Sequence, residues 1–267
     1  MSNRIDNTFQ NLRKNGRAGF VAYVCAGDPN YDSSLDVIRS IADSGADIIE
    51  LGVPFSDPQA DGIVNQLAAE RALASGMSVP KLMQMIRDFR STHDTPLVLF
   101  TYLNPVYTYG YEKFHTDAAA AGADGILLLD LPPDETAYNK ELAQSEGLKH
   151  ITLISPSTPP ERLKMLAKQS EGFIYALSRM GVTGAQAAPS ASIGELVNSI
   201  KEHTDTPVCI GFGINTPDQV ELVASKSDGV VVGSAIVNQV AEHGSDPKLG
   251  EVIRQFVTPL IQATQTH

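Results

Sequence analysis

The stretch Asp47-Ile48-Ile49-Glu50-Leu51-Gly52-Val53-Pro54-Phe55-Ser56-Asp57-Pro58-Gln59-Ala60-Asp61-Gly62 reads as a short apolar strand interrupted by a carboxylate. A loop fixed by two prolines follows, then a second carboxylate beside a glycine. An ionised side chain inside Ile-Ile-Glu-Leu is costly on a buried strand: it must be paired, neutralise, or face a cavity that uses it. By the period of two, Ile48, Glu50 and Gly52 share one face and Ile49 and Leu51 the other. If the second pair packs outward on helices, Glu50 points into the interior. A lumen carboxylate with a partner is the bland alternative, and no Lys or Arg lies inside any strand assigned below to supply one.

The unit of apolar strand followed by helix recurs on both sides of this stretch. Upstream, Ile5, Phe9 and Leu12 have helical spacing and predict a leading helix able to plug one end of a domain. Gly19–Ala26 is an apolar strand closed by Gly27-Asp28-Pro29, and Leu35, Ile38 and Ile41 mark a helix that Gly45 ends. Downstream, Ile48–Gly52 is followed by helical Gln66–Ala74 and Val79–Thr92, Leu97–Thr101 by Glu112–Ala121, and Gly125–Leu129 by Glu135–Glu146. His150–Ile154 precedes Glu161–Ser170, Phe173–Leu177 precedes Ile193–His203, and Val208–Gly211 precedes Asp218–Ser225. Gly229–Gly233 precedes Ala235–Glu242 and a final Leu249–Ala263. Gly45-Ala46-Asp47, Gly122-Ala123-Asp124 and Ser227-Asp228 each lead into a strand.

Strands buried on both faces read as continuous Val/Ile/Leu runs, and right-handed crossovers make them parallel. Eight such units in 267 residues predict an α/β fold, a single (β/α)8 TIM barrel over residues 1–267 with an extra N-terminal helix. A doubly wound open sheet is the competing arrangement.

The 31 Asp and Glu against 20 Lys and Arg leave a formal charge of -11. That balance argues against nucleic acid or an anionic membrane as partner. Residues 1–7 lack the apolar core of a signal peptide and no run of eighteen apolar residues occurs, so a cytoplasmic protein is expected. Cys25 and Cys209 lie in apolar segments, where a thiol behaves as a small hydrophobe.

Barrel chemistry sits at the C-terminal strand ends. Strand 2 ends there with Glu50, and its loop carries Asp57 and Asp61, which read equally as loop or cap residues. Gly211-Phe212-Gly213 and Gly233-Ser234 end strands 7 and 8, where barrels hold phosphate on bare N–H groups and a helix N-terminus; Gly181-Val182-Thr183-Gly184 adds to the same nest. No His or Lys occupies a predicted C-terminal strand end, and no two His stand at metal-ligand spacing. Acid and base work therefore falls to carboxylates, with Tyr23, Tyr102 and Tyr175 near the ends of strands 1, 3 and 6 as hydrogen-bonding company or as rim packing. The uncharged segment 185–192 has the composition of a mobile lid, or of a connection without a gating role.

The run from Glu50 to Gly62 resembles the signature of the tryptophan synthase alpha subunit family. So do, in order, Ala26-Gly27-Asp28-Pro29, Tyr102-x-Asn104-Pro105, Asp130-Leu131-Pro132, Leu177-Ser178-Arg179-x-Gly181-Val182-Thr183-Gly184, Gly211-Phe212-Gly213-Ile214 and Gly233-Ser234-Ala235-Ile236-Val237. The resemblance implies a (β/α)8 barrel that cleaves indole-3-glycerol phosphate to indole and glyceraldehyde 3-phosphate. It implies Glu50 and Asp61 as catalytic carboxylates, and a substrate-binding set of Tyr23, Phe100, Tyr102, Tyr175, Thr183, Gly184, Phe212, Gly213, Gly233 and Ser234. No metal or cofactor is expected on this chain, pyridoxal phosphate being expected only on a beta subunit partner in an alpha2beta2 assembly. The loop after strand 2 and the segment Asn104-Pro105-Val106-Tyr107 are expected to face that partner. Three residues depart from the family pattern: Gln59 for the usual leucine, Ile63 for a common proline, and Asn65 for an apolar residue that usually helps line the indole pocket. A different sugar-phosphate barrel enzyme, and a non-catalytic activator of a beta subunit, are the rival functions.

Overall fold

A computed structural model describes residues 3–132, 135–178, 189–211 and 213–265. Its parallel strands are β1 (Gly19–Cys25), β2 (Ile48–Gly52), β3 (Leu97–Thr101), β4 (Gly125–Leu128), β5 (Lys149–His150), β6 (Thr152–Ile154), β7 (Ile174–Leu177), β8 (Val208–Gly211) and β9 (Gly229–Val232). They lie side by side in the order β5-β4-β3-β2-β1-β9-β8-β7-β6. β5 and β6 are two halves of one predicted strand: β5 pairs with β4 and β6 with β7, and the Ile151 N–H between them donates to Ile126 O. The ring closes there, which excludes the open doubly wound sheet. This strand also starts at Lys149, contrary to the expectation of cation-free strands. Lys149 pairs with Asp6 at 2.8 Å, at the N-terminal end of the ring and away from Glu50.

Helices cover the outside: α1 (Arg4–Lys14), α2 (Tyr31–Asp43), α3 (Ile63–Ala74), α4 (Val79–Arg90), α5 (Leu103–Tyr109), α6 (Tyr111–Ala121), α7 (Thr136–Ser145), α8 (Pro160–Gln169), α9 (Pro189–Lys201), α10 (Pro217–Ala224), α11 (Ser234–His243) and α12 (Leu249–Gln262). Two of these differ from the sequence expectation where it matters for function. α3 begins at Ile63 rather than Gln66, and α5 was not predicted at all. The start of α5 is anchored from β4's loop, where Asp130 Oδ1 accepts from Leu103 N–H at 2.7 Å. Residues 189–192, expected in a loop, form the first turn of α9, while 185–188 lie outside the described residues.

Two apolar bodies result from the period of two along the strands. Ile49, Leu51, Leu97 and Leu99 face outward into the helix layer. Val21, Ile48, Val98, Leu127, Ile151, Phe173, Cys209 and Val231 fill the ring, joined from below by Ile5, Phe9 and Leu12 of α1. The leading helix is thus the plug that its spacing predicted; its first turn is capped by Asn3, and Phe9 meets Phe173 at 5.9 Å between ring centroids.

The three aspartates that lead into strands do one structural job at this lower end. Asp47 accepts from Phe20 N–H and from Arg17, Asp124 from Leu97 N–H, Arg4 and Arg90, and Asp228 from Val208 N–H, with Lys201 at 2.7 Å. Each carboxylate ties the start of the preceding strand to its own and has a cation beside it.

Candidate active site

Glu50 stands in the register Tyr23–Glu50–Val98 across β1, β2 and β3, on the same inward face as Ile48. It is 1% exposed, and among the described residues its Oε1 has no hydrogen-bond partner. Burial alone pushes its carboxyl up to about 8 from an ordinary 4.5. Around it stand aromatic rings: Phe100 meets Tyr23 edge-on at 5.1 Å and Tyr175 at 6.3 Å. Tyr23 lies within β1 and Tyr175 near the start of β7, so their backbones are lower than expected. Their hydroxyls nevertheless reach upward, to Gly52 and Gly211, where an added Cβ would overlap each phenol oxygen. Burial, then neighbouring negative charge that includes Glu50 and Asp61, raises both phenols well above their usual range.

Asp61 sits one residue before Gly62, the N-cap of α3. The Tyr102 hydroxyl donates to its Oδ2 at 2.8 Å and accepts from Ala60 N–H at 3.0 Å, so one phenol fixes both the carboxylate and its loop. Asn65 Nδ2 donates to Oδ1 at 3.3 Å, and Gln66 Nε2 holds the Asp61 carbonyl at 2.8 Å. Burial raises the Asp61 carboxyl, while the hydrogen bonds from Tyr102 and Asn65 lower it. In the sequence, Tyr102 reads as hydrogen-bonding company and as part of the substrate-binding set, and Asn65 as a change in the indole pocket, neither as a contact of Asp61. Only the Asn65 contact has a sequence signal, its i,i+4 spacing to Asp61, which needs α3 to start at Ile63; Tyr102 comes from 41 residues away.

At the other rim, Gly213 turns with a φ of 76° and Gly233 is the N-cap of Ser234-led α11. The first N–H groups of that helix have no intrahelical acceptor, which suits an anion. Thr183, Gly184 and Phe212, expected in the same set, lie outside the described residues. Asp57, by contrast, is exposed, and its carboxylate meets only Gln59 Nε2, at 3.1 Å, among the contacts described.

A buried carboxylate with an oxygen unpartnered among the described residues and a clamped second carboxylate thus stand in one barrel, and the sequence that builds them matches one family along nearly the whole chain. The sequence profile described as tryptophan synthase alpha chain matches residues 9–263. The chain belongs to the tryptophan synthase alpha chain family. A tryptophan synthase alpha chain of Geobacter sulfurreducens is 46% identical over 260 residues, covering 97% of this chain and 98% of that one. One from Desulfatibacillum aliphaticivorans is 42% identical over 261 residues, with 98% of each covered. Among solved structures, tryptophan synthase subunit alpha from Legionella pneumophila superposes with a TM-score of 0.91 at 36% identity, covering 100% of both chains. A Mycobacterium tuberculosis tryptophan synthase chain gives 0.89 at 33%, again covering 100% of both. Tryptophan synthase alpha chains are carbon–carbon lyases that cleave indole-3-glycerol phosphate, and their reaction needs no cofactor; pyridoxal phosphate belongs to the beta subunit. Among the described residues no helix is long and apolar enough to cross a membrane.

Proposed function

We propose that in this chain Glu50 is both the acid and the base of the cleavage, and that Asp61 stabilises the charge that develops on the indole ring. The supporting observation is Glu50 itself: buried in the lumen, with an unpartnered oxygen and a carboxyl lifted to about 8, it rests protonated at neutral pH. A protonated Glu50 gives its proton to indole C3, which leaves an iminium at the ring nitrogen. The resulting carboxylate takes the proton of the glycerol hydroxyl on the adjoining carbon. As that carbon becomes an aldehyde, the electrons of its bond to C3 flow into the iminium and restore indole. Glu50 ends protonated, as it began, and the substrate is its own electron sink. Asp61, fixed by Tyr102, offers negative charge to the ring nitrogen while the iminium exists. The phosphate is assigned to the rim formed by Gly213, Gly233 and Ser234, with Thr183, Gly184 and Phe212 from the resemblance. The aromatic wall of Tyr23, Phe100, Tyr102 and Tyr175 is assigned to the ring.

The partner in this reading is a tryptophan synthase beta subunit in an alpha2beta2 assembly, acting in the cytoplasm, with residues 1–267 as one folding unit. The exposed apolar side chains Ile63 and Leu67 of α3 and Tyr107 of α5, the last 75% exposed, are the candidates for contact with it. Steady-state release of indole by Glu50→Gln and Asp61→Asn, each with and without a beta subunit, tests the assignment. Both variants are expected to lose on the order of a hundredfold or more in turnover while binding a phosphate-bearing indole analogue. Near-normal release by Glu50→Gln would end the acid/base reading, and beta activation without any cleavage by the parent chain would make the chain an activator.

A further inference from the structure

Asn65 lies on the first turn of α3, four residues after Asp61, a spacing that brings two side chains to one helix face. Its Nδ2 donates to Asp61 Oδ1 at 3.3 Å while the Tyr102 hydroxyl donates to Oδ2 at 2.8 Å, so each carboxylate oxygen has a donor from a different element. An ionised carboxylate only accepts, which obliges the amide to turn its NH2 toward Asp61 and its carbonyl away. That carbonyl, Asn65 Oδ1, is buried without a hydrogen-bond partner among the described residues, a penalty an apolar side chain would not incur. A polar residue at this cost, in the half-buried position where the family usually has an apolar one, needs a compensating contact, and Asp61 is the contact it makes.

We infer that Asn65 is a positioning residue for Asp61, its amide holding the second carboxylate oxygen so that the group stands in one orientation before substrate arrives. The inference rests on the reading of Asp61 as the charge that faces the indole ring. Other titratable groups act on the same spot: Tyr23 and Cys25 on β1, Tyr102 after β3, Tyr175 on β7, and Glu50 on β2 through Tyr23. Burial pushes the three tyrosines and the thiol up, so they stay neutral while Asp61 titrates, and Glu50 loses its proton only near 8. The amide therefore bears on a single ionisation.

The test is a carbon-13 NMR titration of the side-chain carboxyls of the full chain, with the Asp61 resonance assigned by its loss in Asp61→Asn. Asn65→Leu, which keeps the branched shape without the amide and improves helix propensity, is expected to raise the Asp61 midpoint by about one pH unit, and Asn65→Asp by more. Indole release by Asn65→Leu should fall several-fold below that midpoint and recover as pH rises, whereas a merely structural defect would not recover. Thermal melting of Asn65→Leu like that of the parent would set aside misfolding. Identical Asp61 midpoints in the parent and Asn65→Leu would overturn the inference, leaving the Asp61 reading intact if Asp61→Asn still loses turnover. Full turnover by Asp61→Asn would instead overturn the reading beneath it.

Discussion

The two ends of the barrel treat buried carboxylates in opposite ways. At the lower end Asp124 is 3% exposed and satisfied three times over, by Leu97 N–H, Arg4 and Arg90. In the lumen above, Glu50 is as deeply buried and has an oxygen with no partner at all among the described residues. Upper position alone does not explain this, because Asp28, in the loop after β1, is equally buried and bound by Arg71 through two hydrogen bonds of 2.8 Å. What separates Glu50 is the face it occupies: among the described residues the interior of the ring supplies rings and aliphatics, and no cation. A carboxylate that only held the fold together would be paired as Asp124 and Asp28 are. One left unpaired at such cost is available to a ligand.

Breaking the paired member gives the largest effect on stability. Asp124→Asn leaves Arg90, whose side chain is 10% exposed, without its closest countercharge. The variant is expected to lose about 3–5 kcal/mol, the usual cost of removing one partner of a buried ion pair. Urea unfolding would measure this, and indole release per folded molecule should stay at the parent level. A large loss of turnover with intact stability would erase the division of labour between the two ends.

The unpaired member should behave in the reverse sense. Because the folded-state carboxyl of Glu50 is raised to about 8, the unfolded chain gives up this proton first as pH rises. Between the unfolded value and 8 the native state binds the extra proton, so stability falls with pH through that window and levels off above it. Relative to Glu50→Gln, the parent should lose on the order of 2–4 kcal/mol between about pH 5 and pH 9. Denaturation midpoints of both proteins across that range would check it. A constant difference would mean that Glu50 has found a partner, and its resemblance to Asp124 would then outweigh the contrast.

How far these features were legible depended on the type of signal. Glu50 stood out because a carboxylate inside Ile-Ile-Glu-Leu breaks a local rule, and the alternation around it gave its face. The aspartates of the lower end were seen as a recurring phrase before strands, but their pairing was not, since Arg17, Arg90 and Lys201 come from distant positions. Asp61 is neither in a strand nor in an apolar context, so only the family resemblance raised it above a cap residue. α5 escaped because Leu103–Tyr109 is short, contains Pro105, and carries Tyr and Thr residues that lower helix propensity. The first turn of α3 is masked in the sequence because Ile63 and Val64 are β-branched, and Ile63 turns to solvent, 64% exposed, instead of adding to the apolar spacing. That masking hid the contact between Asn65 and Asp61. The glycine turns at Gly213 and Gly233, to which the proposed function assigns the phosphate, are legible in the sequence because backbone alone makes them.

The smallest effect should come from Asp57, which shares the organising loop with Asp61 but none of its burial. Its carboxylate is exposed and meets the Gln59 amide at 3.1 Å, a contact that water and salt weaken. Asp57→Asn in the isolated chain is therefore expected to change stability by less than about 0.5 kcal/mol, and indole release by less than about twofold. Parallel melting and steady-state assays would measure both. The size of this null matters for the larger contrast, because Asp57 and Asp61 differ by one clamp of Tyr102 and Asn65 rather than by charge. If Asp57→Asn cost as much turnover as Asp61→Asn, the loop's negative field as a whole would be acting on the substrate. Burial and direct hydrogen bonds would then no longer distinguish the carboxylates that work from those that merely stand nearby.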